Sequence, residues 1–465
     1  MKHQTGTESQ PLRVAIIGAG PAAFYAAESL FKRSELICQI DMFNRLPTPF
    51  GLVREGVAPD HESIKSVTRI YDRIATNPNF RYFGNVTFGT DITHADLKEF
   101  YDQVIYAVGA QSDRKIGIPG EDLEGSFPAT IFVGWYNGHP DYAERQFDLT
   151  QERVVVVGNG NVAMDVARIL VTSHERLAKT DMADYALEAL RYSKVREVIM
   201  LGRRGPAQAT FTNPELKEFG ELEGVDVIVN PADLELDETS QASLGSDKTA
   251  RKNLETLRGY AARTEHSNSR RIVMRFLVSP IEVLGESGKV KAVKIEKNKL
   301  VAQDDGTLRP RGTGQFETIE TGMLMRSVGY RGVALMGVPF DESTGTIANI
   351  AGRVIQPSSG EVKPGEYVVG WAKRGPTGII GTNKPDSAAT VAAMLEDLPQ
   401  LNPVSAEKRD PARIEQLLKE RKPDYVSYSA WNKLNALEIA RGTAQGRPRI
   451  KLTRVAEMLE ALAQA

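Results

Sequence analysis

Two short glycine-rich segments carry the residue types that can cradle a diphosphate. Val14–Ala23 reads VAIIGAGPAA and Val154–Ala163 reads VVVVGNGNVA. In each, apolar and largely β-branched residues lead into Gly-x-Gly-x-x-Ala. A helical pattern of small residues follows: Ala22, Ala23, Ala26 and Ala27 in the first, Val162, Ala163, Val166 and Ala167 in the second. Gly18 and Gly158 permit a tight turn, Gly20 and Gly160 let the backbone approach a pyrophosphate, and Ala23 and Ala163 stand where helix packs closely on strand. The ligand's charge then meets the positive end of a helix dipole. Glycine at a βα turn is weak evidence alone; strand, turn and helix in succession make it informative.

The strand after each fingerprint ends differently. The first ends Asp41-Met42-Phe43-Asn44, the second Leu201-Gly202-Arg203-Arg204. A carboxylate at that place accepts ribose hydroxyls and repels a 2'-phosphate, whereas guanidinium groups attract one. Arg203 and Arg204 therefore predict NADP(H) at the second site. The first is expected to hold FAD, with Asn44 in the acidic position: its amide oxygen can accept a hydroxyl and its NH2 adds a donor. Val104–Ala110, VIYAVGA, an apolar strand and small-residue turn, agrees with a flavin nucleotide nearby.

These elements need an α/β architecture: two Rossmann-like dinucleotide-binding domains, the NADP domain inserted into the FAD domain. The expected segments are 1–112 for the first part of the FAD domain, 113–324 for the NADP domain, and 325–465 for the returning part. Strands are expected at Ile272–Val278 and Lys289–Ile295, a third apolar-to-glycine turn from Met325, and an alanine-rich helix at about Ser387–Leu395. The charged, helical pattern beyond about 409 reads as a C-terminal cap on the FAD domain.

The chain has 465 residues, 41% hydrophobic and 25% charged, ample for two or three domains with real cores. Its net charge of -2 argues against a generally basic nucleic-acid binder. One cysteine, Cys38, cannot form the redox pair of a disulfide reductase, nor supply four thiolates to an iron–sulfur cluster. Any such cluster must belong to a partner. Six scattered histidines without HExxH or CxxC predict no metal site. The N-terminal residues have no apolar signal core and no apolar run approaches membrane length, so a soluble cytoplasmic protein without membrane association is expected.

GAGPAAFYAA, LPTPFGLVREGVAPDH, GNGNVAMDVARIL, GRRGPAQATFTNPELKE and GWAKRGPTGIIGTNKPDS, in this order, resemble the adrenodoxin reductase family, including its bacterial NADPH–ferredoxin reductase members. The resemblance spans essentially the whole chain. It implies hydride transfer from NADPH to FAD and release of single electrons to a ferredoxin-type iron–sulfur protein, with the nicotinamide held roughly 3 to 3.5 Å from the flavin. Gly18, Ala19, Gly20, Asn44, Leu52 and Val86 match the family's FAD positions, with Trp371, Gly378, Ile379 and Ile380 later; the last three would open a helix aimed at the flavin's pyrimidine side. Asn159, Gly160, Asn161 and Val162 match its NADP phosphate turn, Arg203 and Arg204 its 2'-phosphate pair, and Glu215 a further cofactor contact, with Gly378 also near the nicotinamide end.

The resemblance also places His61 and Glu218 beside the reacting rings. Hydride transfer needs no general base, so orientation or control of protonation is their expected work. Glu215 and Glu218 share one face of a helix starting near Pro214; without the family match, two solvated first-turn carboxylates would suffice. Arg251, Lys252, Arg258, Arg263, Arg270 and Arg271 form the densest basic run, over an apolar stripe of Leu254, Leu257 and Ala261. That run either docks an acidic ferredoxin or is simply a solvated face. Two alternatives share the fingerprints: a flavin-dependent NADPH monooxygenase, for which no substrate pocket is marked, and a protein like the small subunit of glutamate synthase, for which cluster ligands are lacking. A non-enzymatic NADPH sensor would bind both nucleotides without turnover.

Overall fold

Leu12–Ile17 is buried on both faces, as an unbroken apolar run must be inside a parallel sheet. The computed structural model describes residues 5–245, 247–304 and 307–464. They form two compact units, one comprising Met1–Val57, His61–Asp113 and Gly329–Ala465, the other Ala58–Asp60 and Arg114–Val328. The second is thus an insertion in the chain of the first.

The first unit is built on a seven-stranded sheet. Leu12–Ile17 lies at its centre, paired in parallel with Cys38–Phe43 on one side and Gln103–Tyr106 on the other. Phe80–Phe83 extends the first side and Val362–Val368 the second, also in parallel. Two short antiparallel strands, Arg353–Ile355 and Asn349–Ile350, finish that edge. Helices Pro21–Phe31 and Asn383–Asp397 pack on each other over this sheet. Their small residues let the backbones approach: Ser387 Oγ donates to the Ala22 carbonyl at 2.9 Å. Helices Pro411–Arg421, Tyr428–Thr443 and Val455–Ala463 complete the unit. Burial pushes the Cys38 thiol up to about 12, so this cysteine is an inert core residue.

The second unit holds a six-stranded parallel sheet in the order Ser126–Pro128, Met323–Arg326, Arg153–Val157, Glu197–Leu201, Arg270–Arg275, Val225–Val229. Met323–Arg326 is one uninterrupted strand of this sheet, so the chain returns to the first unit at Gly329 rather than at the expected 325. The single strand expected over Ile272–Val278 is two elements. Arg270–Arg275 stays in the parallel sheet, the chain reverses at Leu277 with φ 54, and Val278–Glu286 opens an antiparallel sheet with Lys289–Ala302 and Leu308–Glu320. Leu308–Glu320 is exposed along nearly its whole length, which hides the alternation that marks a strand. Among the described residues no helix is long and apolar enough to cross a membrane.

Candidate functional site

Each fingerprint forms the turn its glycines require. Gly18 has φ 103, and a side chain there would meet the Ala107 carbonyl oxygen at 2.5 Å. Gly158 has φ 131, and a side chain would meet the Ser327 oxygen at 2.2 Å. Both turns therefore press against the neighbouring strand's end and admit only glycine. Gly20 differs: at φ -86 and ψ -177 it caps helix Pro21–Phe31, and a Cβ there would meet nothing within 4 Å. The open space lies where a diphosphate would meet the helix N-terminus, so the first cradle fits a dinucleotide.

The rest of the first cradle comes from 44–52. Asn44 uses its amide nitrogen twice within its own loop, donating to Leu46 O at 3.0 Å and Thr48 O at 2.9 Å. The donor expected for the ribose is therefore spent on shaping the loop. Asp41, a carboxylate of that strand, is committed elsewhere: it pairs with Arg13 at 2.7 Å and Arg81 at 2.7 Å and accepts the Tyr101 hydroxyl at 2.7 Å. Burial opposes its charge, yet Arg81 and Arg13 more than offset that and hold its pKa below the ordinary value. Val86 donates its N–H to Asn44 O at 2.9 Å and is buried. Ala19 accepts the N–H of Phe50 at 2.8 Å, and Leu52 begins a short helix to Glu55.

The returning segment meets this cradle at Gly370. Its φ is 70, and a side chain would stand 2.6 Å from the Ala22 methyl. Its N–H donates to Asp386 at 2.7 Å, and Asp386 also pairs with Lys373 and Arg374, each at 3.1 Å. Trp371 opens the short helix Trp371–Arg374; its indole N–H donates to Thr377 O at 3.2 Å. Gly378, at φ 81, Ile379 and Ile380 precede the long helix Asn383–Asp397 through a turn of 3-10 helix, Ile380–Thr382. Ile379 is 63% exposed, and among the described residues the N–H groups of Gly378 and Ile379 donate to no backbone carbonyl. Free donors ahead of a helix suit a ligand group that becomes negative.

In the second unit Asn161 accepts the Thr212 N–H through Oδ1 at 2.8 Å, and Asn159 O accepts the Thr210 N–H at 3.3 Å, so the phosphate turn and the 209–213 loop are clipped together. Asn159 Nδ2 is buried with no acceptor. It crowds Gly202, where a Cβ would lie 2.5 Å away, so the orphan donor sits between the turn and the arginine-bearing strand end. Arg203 and Arg204 have firmly held backbones: Asn298 donates to Arg203 O at 2.8 Å and Leu277 to Arg204 O at 3.1 Å. Neither guanidinium has an acidic partner among the described residues. Burial, then the neighbouring Arg203 charge, pushes Arg204 below its ordinary pKa. Two unmatched cations and an orphan amide donor fit a phosphorylated nucleotide.

Glu215 and Glu218 project from helix Asn213–Phe219 toward one fully buried cation, Arg168. The guanidinium lies 3.5 Å from Glu215 and 3.4 Å from Glu218, and pairs more closely with Asp60 at 2.8 Å and Asp165 at 2.7 Å. Burial lowers its pKa, but the carboxylates, Asp165 first, raise it above the ordinary value. Arg168 and Asp60 escaped the sequence reading, since nothing local marks a helix arginine as the hub of residues from three segments. His61 belongs to the first unit and caps the short helix Glu62–Lys65.

The basic run is broken up by its surroundings. Arg271 pairs with Glu197, Arg270 donates to Val171 O, and Arg263 lies over the Tyr260 ring. Arg251, Lys252 and Arg258 remain exposed on helix Lys248–Ala261, above buried Leu254 and Leu257. Arg251 and Arg258 flank a hollow of about 390 Å³ that also includes Glu255.

The profile of the pyridine nucleotide-disulphide oxidoreductase family matches residues 12–248. The chain is similar to the NADPH-ferredoxin reductase FprA of Mycobacterium leprae, 49% identical over 452 residues, covering 96% of this chain and 97% of the relative. It is also similar to the mitochondrial NADPH:adrenodoxin oxidoreductase of Arabidopsis thaliana, 38% identical, covering 99% and 98%. Among solved structures, Mycobacterium tuberculosis FprA in complex with NADPH superposes with a TM-score of 0.92 at 46% identity, covering 98% of this chain and 100% of that one.

Proposed function

We propose, from the premise that this chain belongs to the pyridine nucleotide-disulphide oxidoreductase family and is an FAD-dependent NADPH–ferredoxin reductase, a division of labour between its two units. The chemistry its cofactors supply when bound is hydride transfer from NADPH to FAD and release of electrons one at a time to an iron–sulfur ferredoxin. In this reading the first unit is the FAD domain and the second the NADP domain. Gly18, Ala19 and Gly20 hold the flavin nucleotide's diphosphate, with Leu52 and Val86 lining the same cradle. Asn44 offers its amide oxygen to a ribose hydroxyl, its nitrogen being used by the loop. Trp371 would fix the approach to Gly378–Ile380, whose N–H groups would serve the side of the flavin where negative charge develops on reduction. In the second unit Asn159–Val162 hold the second diphosphate, and Arg203 and Arg204 grip the 2'-phosphate. Glu215, kept in place by Arg168, contacts the nicotinamide nucleotide, while His61 and Glu218 orient the reacting groups.

The observation that carries the assignment is the contrast between strand ends. Among the described residues Arg203 and Arg204 stand without acidic partners after the second cradle, whereas Asn44 is neutral after the first. Spectral titration of the yellow protein tests it: NADPH should bleach the flavin at far lower concentration than NADH, and NADPH oxidation should accelerate with ferredoxin or ferricyanide over oxygen alone. Equal bleaching by both coenzymes, or consumption of oxygen as fast as of ferredoxin, would refute the reading.

The ferredoxin is proposed to dock by charge on Arg251, Lys252 and Arg258, a reading supported by their exposure. Reversal of charge at Arg251 and Arg258 should slow ferredoxin reduction at least about tenfold at low salt, with the difference shrinking as salt rises. Ferricyanide reduction should be spared; equal loss with both acceptors would remove this patch from consideration. The cytoplasm is proposed as the compartment, in keeping with a single free, buried cysteine.

A further inference from the structure

The C-terminal helices do more than cover the first unit. We propose that Glu438, on helix Tyr428–Thr443, is a positioning residue for the flavin nucleotide, acting through Arg54 on the Phe50–Gly51 turn that backs the first diphosphate cradle. The inference rests on the reading of Gly18–Gly20 as the FAD cradle.

The turn is in direct contact with the fingerprint. Phe50 N–H donates to Ala19 O at 2.8 Å, and a side chain at Gly51 would stand 3.1 Å from Gly20 Cα. Any shift of this turn therefore moves the backbone expected to meet the diphosphate. The conformation is also one the chain would not adopt unaided: Phe50 has φ 85 and Gly51 φ 49. A bulky residue in the left-handed region persists only where its surroundings over-determine it.

Those surroundings converge from the far end of the chain. Arg54, on the short helix that follows the turn, donates to Glu438 through both terminal nitrogens, at 2.8 Å and 2.6 Å, across 384 residues of sequence. Its guanidinium lies 5.1 Å from the Trp431 ring, and the same ring meets Phe50 edge-on at 5.9 Å. Lys451 Nζ donates to Arg54 O at 3.0 Å, while the Leu452 N–H at 2.9 Å and Arg449 at 3.3 Å fill the remaining capacity of the Glu438 carboxylate. Glu438 is fully buried and Arg54 nearly so. Planar, two-pronged geometry fixes direction as well as distance, which a hydrophobic contact would not do. The carboxylate stays ionised: burial opposes its charge, but Arg54 first and Arg449 with it hold the pKa below the ordinary value. Its charge is needed, because a neutral side chain would weaken the two-pronged, charge-assisted contact that sets the direction of the buried guanidinium.

Titration of apo-protein with FAD, followed by flavin fluorescence, tests the inference alongside the melting temperature of each apo-protein. Glu438→Gln should raise the FAD dissociation constant about tenfold, and Arg54→Lys, which keeps the charge but loses the fork, should raise it several-fold. Affinity of the second cradle for 2',5'-ADP should be unchanged in both. In the double variant the losses should not add, since both act through one contact. FAD binding within about twofold of wild type in both single variants would overturn the proposal. If Glu438→Gln gives no folded protein, Arg54→Lys decides alone. Gly20→Val separates the two layers: if it retains FAD, the cradle reading fails and this inference with it; if it loses FAD while Glu438→Gln does not, only the role of Glu438 falls.

Discussion

Gly20→Val should purify as a folded but colourless protein. Valine accepts φ -86 and ψ -177 without strain, and its Cβ would have no neighbour within 4 Å, so the apo-protein should melt where wild-type apo-protein does. The branched side chain would nonetheless occupy the space ahead of helix Pro21–Phe31. A diphosphate would be kept off the first-turn N–H groups and away from the dipole's positive end. Overpacking of a fitted site costs about 1 to 3 kcal/mol, or roughly 5- to 150-fold in affinity, before any lost hydrogen bond is counted. Gly18→Ala is the contrasting case: at φ 103 and 2.5 Å from a carbonyl oxygen, it should lower the melting temperature of the apo-protein itself. The ratio of visible to protein absorbance reports flavin content, and scanning calorimetry reports the fold. A Gly20→Val protein with wild-type flavin content would dismiss the first cradle.

That contrast between the two glycines also marks how far sequence alone could reach. Both fingerprints were legible because a βα turn is written in about ten consecutive residues: strand, glycines and helix lie together, and each glycine has a local reason. The arginine pair was legible for the same cause, standing at the end of the next strand. Asn44 was legible only in part, since the use of its NH2 depends on how the Leu46–Thr48 carbonyls fold back. Arg168 was silent in sequence because its partners Asp60, Glu215 and Glu218 come from distant segments. Glu438 was silent more completely: a glutamate on a charged helix looks solvated until Arg54 arrives from the other end of the chain. The strand Met323–Arg326 was divided at 325 because its apolar run and following glycine resemble the start of a new unit, while its hydrogen-bond partners lie far back at Arg153–Val157. Local chemistry can be read from order; pairing across hundreds of residues cannot.

Removal of both guanidinium groups should convert a strongly NADPH-preferring enzyme into one nearly indifferent to the 2'-phosphate. A hydrogen bond to a charged group contributes about 1.5 to 3 kcal/mol, so Arg203→Gln/Arg204→Gln should raise the KM for NADPH on the order of 100-fold or more. The KM for NADH should stay close to wild type, because plain ribose makes no use of either charge. At saturating NADPH, kcat should be retained, as the 2'-phosphate contact is made equally before and during hydride transfer. The two positions are not equivalent. Arg203 is exposed and works through solvent, whereas Arg204 is half-buried, with a pKa lowered by burial and by its neighbour's charge. Arg204→Gln should therefore cost more than Arg203→Gln, and the latter should relieve like-charge repulsion on Arg204 and lose less than its own contact. Raising salt should weaken NADPH binding to the wild type more than to the double variant, since screening acts on the charges that the variant lacks. Steady-state kinetics with both coenzymes at low and high salt measure all of this. A double variant whose NADPH-to-NADH preference stayed within about threefold of wild type, a difference below 1 kcal/mol, would show that the strand end carrying Arg203 and Arg204 does not read the phosphate.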